Sequence, residues 1–221
     1  TQTFGSITLI GDTDALQTRT SLEFQANNRL TPMLRSVWGA EIREETLAAP
    51  LFMNTHKTLR GLLSRAYANL EWRAQPDLLL QGGAMIEHHY YSGTDISPRI
   101  AANYEFLRDH TLRLNLSQAY RTPTFFEQRG NLTFYSTSGI PVSTISIPAN
   151  DDLAPERVLS REIAYIGQYK PAHLQWDVKL FRDQIEDYIK TKGSPAKHKN
   201  VGGYRVQGAD VRLGWQPTPA T

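Results

Sequence analysis

The chain has 221 residues, no cysteine, a formal net charge of +2 and a mean hydropathy of -0.44. These values exclude disulfides and thiolate metal sites, supply no basic block suited to nucleic acid, and leave no run near the ~20 apolar residues of a membrane helix. A low mean hydropathy still admits a membrane β-barrel, in which only alternate strand residues meet lipid.

The opening Thr1-Gln2-Thr3-Phe4 has no basic segment followed by an apolar stretch, so a signal peptide is expected to be missing or already removed. Two-residue alternation begins at Leu16: Leu16, Leu22, Phe24 and Ala26 share one face, and Gln17, Arg19, Ser21, Glu23 and Gln25 the other. Next, Leu34, Trp38, Ala40 and Ile42 oppose Arg35, Glu41 and Arg43, and Leu62, Ala66, Ala68, Leu70 and Trp72 oppose Arg65, Tyr67, Asn69 and Glu71. The dyad continues with Leu78, Leu80, Ala84 and Ile86, then Ile100, Ala102, Tyr104 and Phe106. Leu112, Leu114 and Leu116 follow, and finally Leu174, Trp176, Val178 and Leu180. An apolar face set against one rich in both signs of charge is the pattern of a wall between lipid and a polar lumen.

The connections alternate in length. Short turns are predicted at 26–29, 74–77, 108–110 and 170–173, and long polar stretches at 45–57, 90–95, 121–156 and 191–203. Strict short–long alternation between antiparallel strands marks a transmembrane barrel with turns on one side and loops on the other. Trp72, Phe106 and Trp215 fall near short turns, and Tyr90, Tyr91, Tyr120 and Tyr188 near long connections, as interfacial girdles require. Gly208 sits where the apolar phase changes, from Tyr204 and Val206 to Ala209, Val211, Leu213 and Trp215, so a bulge is expected there. The fold class is therefore all-β, an antiparallel transmembrane β-barrel wall of about nine or ten strands.

Several local patterns carry a resemblance. Ser117-Gln118-Ala119-Tyr120-Arg121-Thr122-Pro123, followed by Phe125, Phe126 and Glu127, ends a strand; Leu153-Ala154-Pro155-Glu156 and Glu162 open the next. Phe181 with Asp187-Tyr188-Ile189, and Asn200 with Gly208-Ala209-Asp210, come after them in order. Together they resemble the barrel of a TonB-dependent outer-membrane receptor. That resemblance implies a barrel of about 22 strands around an N-terminal plug that contacts TonB, in the outer membrane of a Gram-negative bacterium. Residues 1–221 are then a partial barrel domain, a fragment without the plug and without the closing strands. It further implies energised uptake of a ferric siderophore, haem or cobalamin at the outer loops, with membrane lipid, that small-molecule ligand and the TonB complex as partners.

Arg121, Pro123, Glu127, Pro155 and Glu156 are expected to be structural: Pro ends a ladder strand because it cannot donate, and Glu156 can pair with a rim arginine. Phe125, Phe126, Phe134 and Tyr135 in the longest loop are the candidate ligand contacts, with loop-on-loop packing as the alternative. Lys192, Lys197, His198 and Lys199 give the last loop a basic character that suits an anion or plain solvation. A small barrel enzyme would have only His88, His89 and Asp95 to work with, and adjacent strand residues point to opposite faces. No catalytic residue, resident metal or cofactor is therefore expected. A passive porin is the remaining alternative, since its lumen is charged too.

Overall fold

The computed structural model describes residues 2–4, 7–9, 14–53, 55–133, 135–136, 138–140, 147–194 and 196–217. A short antiparallel pair, β1 (Gln2–Phe4) and β2 (Ile7–Leu9), precedes the main body. Then come β3 (Leu16–Thr31), β4 (Leu34–Ala48), helix α1 (Pro50–Met53), β5 (Leu59–Gln75), β6 (Leu78–His89) and β7 (Gly93–Leu107). The chain continues through β8 (His110–Arg121), helix α2 (Phe125–Arg129), β9 (Glu156–Tyr169), a 3-10 turn (Lys170–Ala172) and β10 (Leu174–Glu186). A hairpin of β11 (Ile189–Lys192) and β12 (Lys197–Asn200) leads into β13 (Gly203–Trp215).

Nine strands form one open antiparallel sheet in the order β13-β10-β9-β8-β7-β6-β5-β4-β3, so every strand except the two at the edges pairs on both sides. Each has 12 to 17 residues, longer than the ~9–11 that cross a bilayer at a tilt of ~45°. The extra residues carry the ladder beyond the apolar zone.

Register confirms the faces read from alternation. Even-numbered residues of β3 to β8 share a side with odd-numbered residues of β9, even-numbered ones of β10 and odd-numbered ones of β13. That side exposes large hydrophobes, with Leu22 77% and Val211 68% accessible. A continuous bare apolar face of this extent marks a contact surface. At its short-turn border Phe106, His110, Tyr165 and Trp176 form a ring cluster with centroids 5.9–6.1 Å apart. The His110 ring nitrogen lies 2.7 Å from the Tyr165 hydroxyl. Half-apolar, half-polar rings belong at that level of a membrane wall.

Several expectations need correction. The first turn is at Pro32-Met33 rather than 26–29, because β3 continues to Thr31 and its last residues pair with the start of β4. No bulge occurs at Gly208: β13 pairs with β10 without a shift from Gly203 to Trp215. Tyr204 and Val206 lie on the polar side, where the Tyr204 ring meets Tyr188 at 5.2 Å, and this accounts for the apparent phase change. The register shifts fall instead next to three short turns, at Arg29/Thr31, Arg73/Gln75 and Glu105/Leu107. The stretch 191–203 is largely the β11–β12 hairpin rather than open loop.

Candidate functional site

The long connections start and end at one end of the sheet, and described residues of theirs, Phe125 and Phe126 among them, lie over its polar face. Their centre is Arg121, the last residue of β8. Its guanidinium donates to Glu156 at 2.8 and 2.7 Å and to Glu127 at 3.0 and 3.2 Å. Glu127 closes a capping box at the start of α2: its carboxylate accepts from the Thr124 backbone N–H at 2.8 Å, and its own N–H donates to the Thr124 hydroxyl at 3.2 Å. Glu156, the buried first residue of β9, also accepts from the Ile189 N–H of β11 at 2.7 Å. One planar fork thus ties both ends of the β8–β9 connection and, through Glu156, the start of β11, and two parallel charge-assisted bonds per carboxylate make the grip geometrically strict.

A second fastener lies beside the first. The Asn200 amide donates to the carbonyls of Ala154 at 2.9 Å and Asp187 at 2.6 Å, and its oxygen accepts from Ala154 N–H at 2.9 Å. Asp187 adopts a left-handed backbone (φ 55), which turns the chain from β10 into the hairpin. Asn150 reaches across to donate to the His198 carbonyl at 2.7 Å. The segments singled out in the sequence, around Arg121, Pro155, Asp187 and Asn200, therefore converge in space although they span 80 positions.

Aromatic packing fills the space beneath. Phe125 meets Tyr91 edge-on at 5.6 Å, and Phe126 meets both Phe52 of α1 at 6.0 Å and His198 at 5.4 Å. The Arg129 guanidinium sits 4.9 Å over the Tyr91 ring and pairs with Asp151 at 2.8 Å. Ala49, Met53, Leu63, Leu153, Ile185 and Ile189 are buried here, most of the small apolar core of the described residues. Gly61 lets the Phe125 ring approach: a Cβ there would come within 2.9 Å of it.

Electrostatics follow burial. Burial opposes ionisation of Glu127, but Arg121 and Thr124 outweigh it and hold the carboxyl below its ordinary range. Burial pushes the His198 imidazole down, only partly opposed by Glu127. His198 Nδ1 lies 3.2 Å from the Thr191 hydroxyl, whereas Nε2 is buried with no partner among the described residues. Both side-chain atoms of buried Gln128 are likewise unpartnered, so ordered water is the expected complement.

A cavity of about 570 Å³ below the loops is lined by Phe125 and Phe126, by the cations Arg19, Arg43, Arg65 and Arg121, and by Glu45 and Glu87. Two of its lining residues, Arg43 at 3.0 Å and Arg65 at 2.5 Å, hold Glu41, which is only 5% exposed. Arg19–Glu45 at 2.9 Å, Arg35–Glu71 at 2.5 Å and Lys179–Asp210 at 2.8 Å extend this charged lattice along the polar face. Such a face suits water or a polar protein surface.

The predicted residues divide accordingly. Arg121, Glu127 and Glu156 come together; Pro123 is buried and Pro155 half-buried alongside them. Phe125 and Phe126 are half-buried packing rings, Tyr135 is 41% exposed, and Phe134 lies outside the described residues. His88 and His89 point to opposite faces: His88 Nδ1 is 2.9 Å from the Thr94 hydroxyl, and His89 accepts from Tyr91 N–H at 3.3 Å. Among the described residues no three His, Cys, Asp or Glu side chains converge on a metal-sized site. Sequence reasoning missed α1, the burial of His198 and the fold of the hairpin. The alternation Ile189-Lys190-Thr191-Lys192 and Lys197-His198-Lys199-Asn200 about Gly193 carried that last signal.

The architecture has a match in sequence as well as in shape. The model of the TonB dependent receptor-like β-barrel family covers residues 2–220. The chain belongs to this family. The ferric enterobactin receptor PfeA of Pseudomonas aeruginosa, in a mutant form, superposes with a TM-score of 0.77 at 17% identity, over 90% of this chain and 33% of that one. The siderophore receptor PirA of Acinetobacter baumannii gives 0.77 at 15% identity, over 93% and 36%. The Serratia marcescens hemophore receptor HasR, in complex with its hemophore HasA and heme, gives 0.72 at 14%, over 91% and 40%. The chain thus spans between a third and two fifths of the length of these receptors. Proteins of the family are outer-membrane β-barrels of Gram-negative bacteria, and the sheet described here is such a wall, open at both edges.

Proposed function

We propose that this chain is part of the barrel of an outer-membrane receptor that takes up a scarce nutrient with energy delivered through TonB, and that the nutrient is a ferric siderophore. The observation that carries the reading is the fastened loop layer over the polar face, centred on Arg121, in a chain of the TonB-dependent receptor family. A passive pore gains nothing from ordering its loops across its own mouth; a receptor needs a prearranged surface for capture. The short-turn end then faces the periplasm, and the charged lattice on the polar face receives a plug domain. The receptors PfeA and PirA, named for a ferric siderophore and for siderophores, support this choice of cargo, and HasR makes haem the competitor.

In this reading Phe134 and Tyr135 meet the ligand, while Phe125 and Phe126 form the packed support below. Deleting 130–148 in the receptor that carries this segment should abolish siderophore-dependent growth under iron limitation and leave an assembled barrel. Unchanged growth would place capture elsewhere. Loss of haem use with intact siderophore use would reassign the cargo.

A further inference from the structure

The apolar face of the strands carries few charges, and their placement is uneven. Between β3 and β13 its basic residues are Arg60, Arg157, Arg161, Arg182 and Arg205. Arg60 has Glu44 at 3.9 Å, and Arg157 is paired with Glu186. Arg161, Arg182 and Arg205 are exposed, and no carboxylate of the described residues lies within ion-pair distance of any of them.

These three stand on adjacent strands. Arg161 of β9 and Arg182 of β10 are direct cross-strand partners, and Arg205 of β13 is opposite Gln184, one step further along the same face. Directly opposed residues have Cβ atoms about 4.5–5.5 Å apart and diagonal ones about 7–8 Å. Like charges at that spacing repel, so the arrangement costs stability unless an anion joins it. Lysine or arginine stems can also snorkel singly to water, but that gives no reason to face one guanidinium with another.

Depth identifies the anion. Immediately towards the short-turn end, the same face carries Ile163, Leu180 and Ala209, direct partners across β9, β10 and β13. Leu116 of β8 is opposite Arg161. Towards the loops, the Gln118 amide donates to the Tyr120 hydroxyl at 2.9 Å, and Gln184 donates to Glu186 at 2.8 Å. The arginines therefore mark the line where the apolar belt ends on the long-loop side, at the level of lipid headgroups. Guanidinium forks bind phosphate in pairs of parallel bonds.

We propose that Arg161, Arg182 and Arg205 bind the phosphate groups of a lipid headgroup in the outer leaflet, an inference that rests on the membrane-wall reading above. It gives the receptor a fixed lipid on the flank that carries β9, β10 and the basic hairpin.

The test uses the receptor that carries this segment, in detergent, with two probes: a lipid A bearing both phosphates and the same lipid with the phosphates removed. Native mass spectrometry should find the phosphorylated probe retained at least about tenfold better. The triple variant Arg161→Gln, Arg182→Gln, Arg205→Gln should lose that preference, with a folded barrel verified by its gel mobility before heating. The triple Arg→Lys variant should keep part of the preference, which separates loss of charge from loss of folding. Equal retention of the two probes, or an unchanged preference in the Gln variant, overturns the proposal. Displacement of the lipid by inorganic phosphate assigns the patch to free anions and overturns it also. Failure of the membrane-wall reading would look different: a fluorophore at Leu180 would escape quenching by lipid-borne quenchers.

Discussion

The wall and the loop layer that covers one of its ends are stabilised by different physics. In the wall, backbone ladders pair each inner strand on both sides and large apolar side chains stay exposed on one face, so their burial has to come from outside the protein. In the loop layer, burial is internal: a few apolar residues, stacked rings and the two-carboxylate grip of Arg121 hold segments far apart in sequence. The contrast teaches that the wall should be sensitive to what its outer face becomes and tolerant of polar changes on the other. The loop layer should instead be sensitive to single hydrogen-bonding groups and to pH.

The largest effect should come from breaking the wall on its lipid side. Leu114→Arg places a charge on the belt and should impair membrane assembly by about 2–4 kcal/mol if near the midplane. Asn115→Ser, one residue away on the polar face, should be mild, even though it gives up bonds with Arg99 and Glu162. Folding titrations into vesicles measure both. Equal penalties would remove the distinction between the faces.

Breaking the loop layer should cost less and act locally. Arg121→Ala leaves Glu156 buried without its partner, a loss of about 1–3 kcal/mol after allowing for the exposed guanidinium. Limited proteolysis should then open 122–155 while the strands stay protected. Arg121→Lys should rescue little, since a single ammonium cannot hold two carboxylates bidentately.

Acid should sharpen the contrast further. Burial lowers the pKa of His198 in the fold, so its contribution is complete above the ordinary value near 6.5 and is lost as pH falls towards the lowered one. Glu127, also lowered, adds a second loss below its ordinary range near 4.3. Hydrogen-exchange protection of the β11–β12 amides, taken relative to the intrinsic rate at each pH, should therefore fall from about pH 6.5 downward, with the protection of the β5 to β8 amides unchanged. His198→Gln should flatten the upper part of that profile.

The smallest effect is expected at Gly208. An added Cβ would meet the Phe181 ring at 3.0 Å and no backbone, so Gly208→Ala should change stability by less than about 1 kcal/mol. At Gly39 the same change would put a Cβ 2.6 Å from the Phe24 carbonyl and the Tyr67 hydroxyl, and should cost visibly more in the same vesicle assay.

The faces of β3 to β8 and β10 were legible because side-chain direction in a strand has a fixed period, and lipid and lumen impose opposite chemistry on it. β9 was harder to read by that rule: Arg161 interrupts the apolar side, while Val158 and Ile166 occupy the polar side. The first turn was misplaced because the polar end of β3 lies beyond the belt, where alternation no longer distinguishes strand from turn. Glu156 could be expected to meet a rim arginine, but its joint hold with Glu127 on Arg121 depends on contacts that no local pattern encodes. The same holds for Phe126 between α1 and His198, where three separate connections supply one packing site.

The central claim is that alternate residues of these strands meet lipid. Spin labels placed singly at Arg113 and Leu114 in the receptor, reconstituted in bilayers, test it with oxygen and nickel-chelate relaxation. The label at 114 should be accessible to oxygen and shielded from the chelate, with the opposite preference at 113. The reverse order, or equal chelate access at both positions, would contradict the assigned register and with it the reading of this chain as a membrane wall.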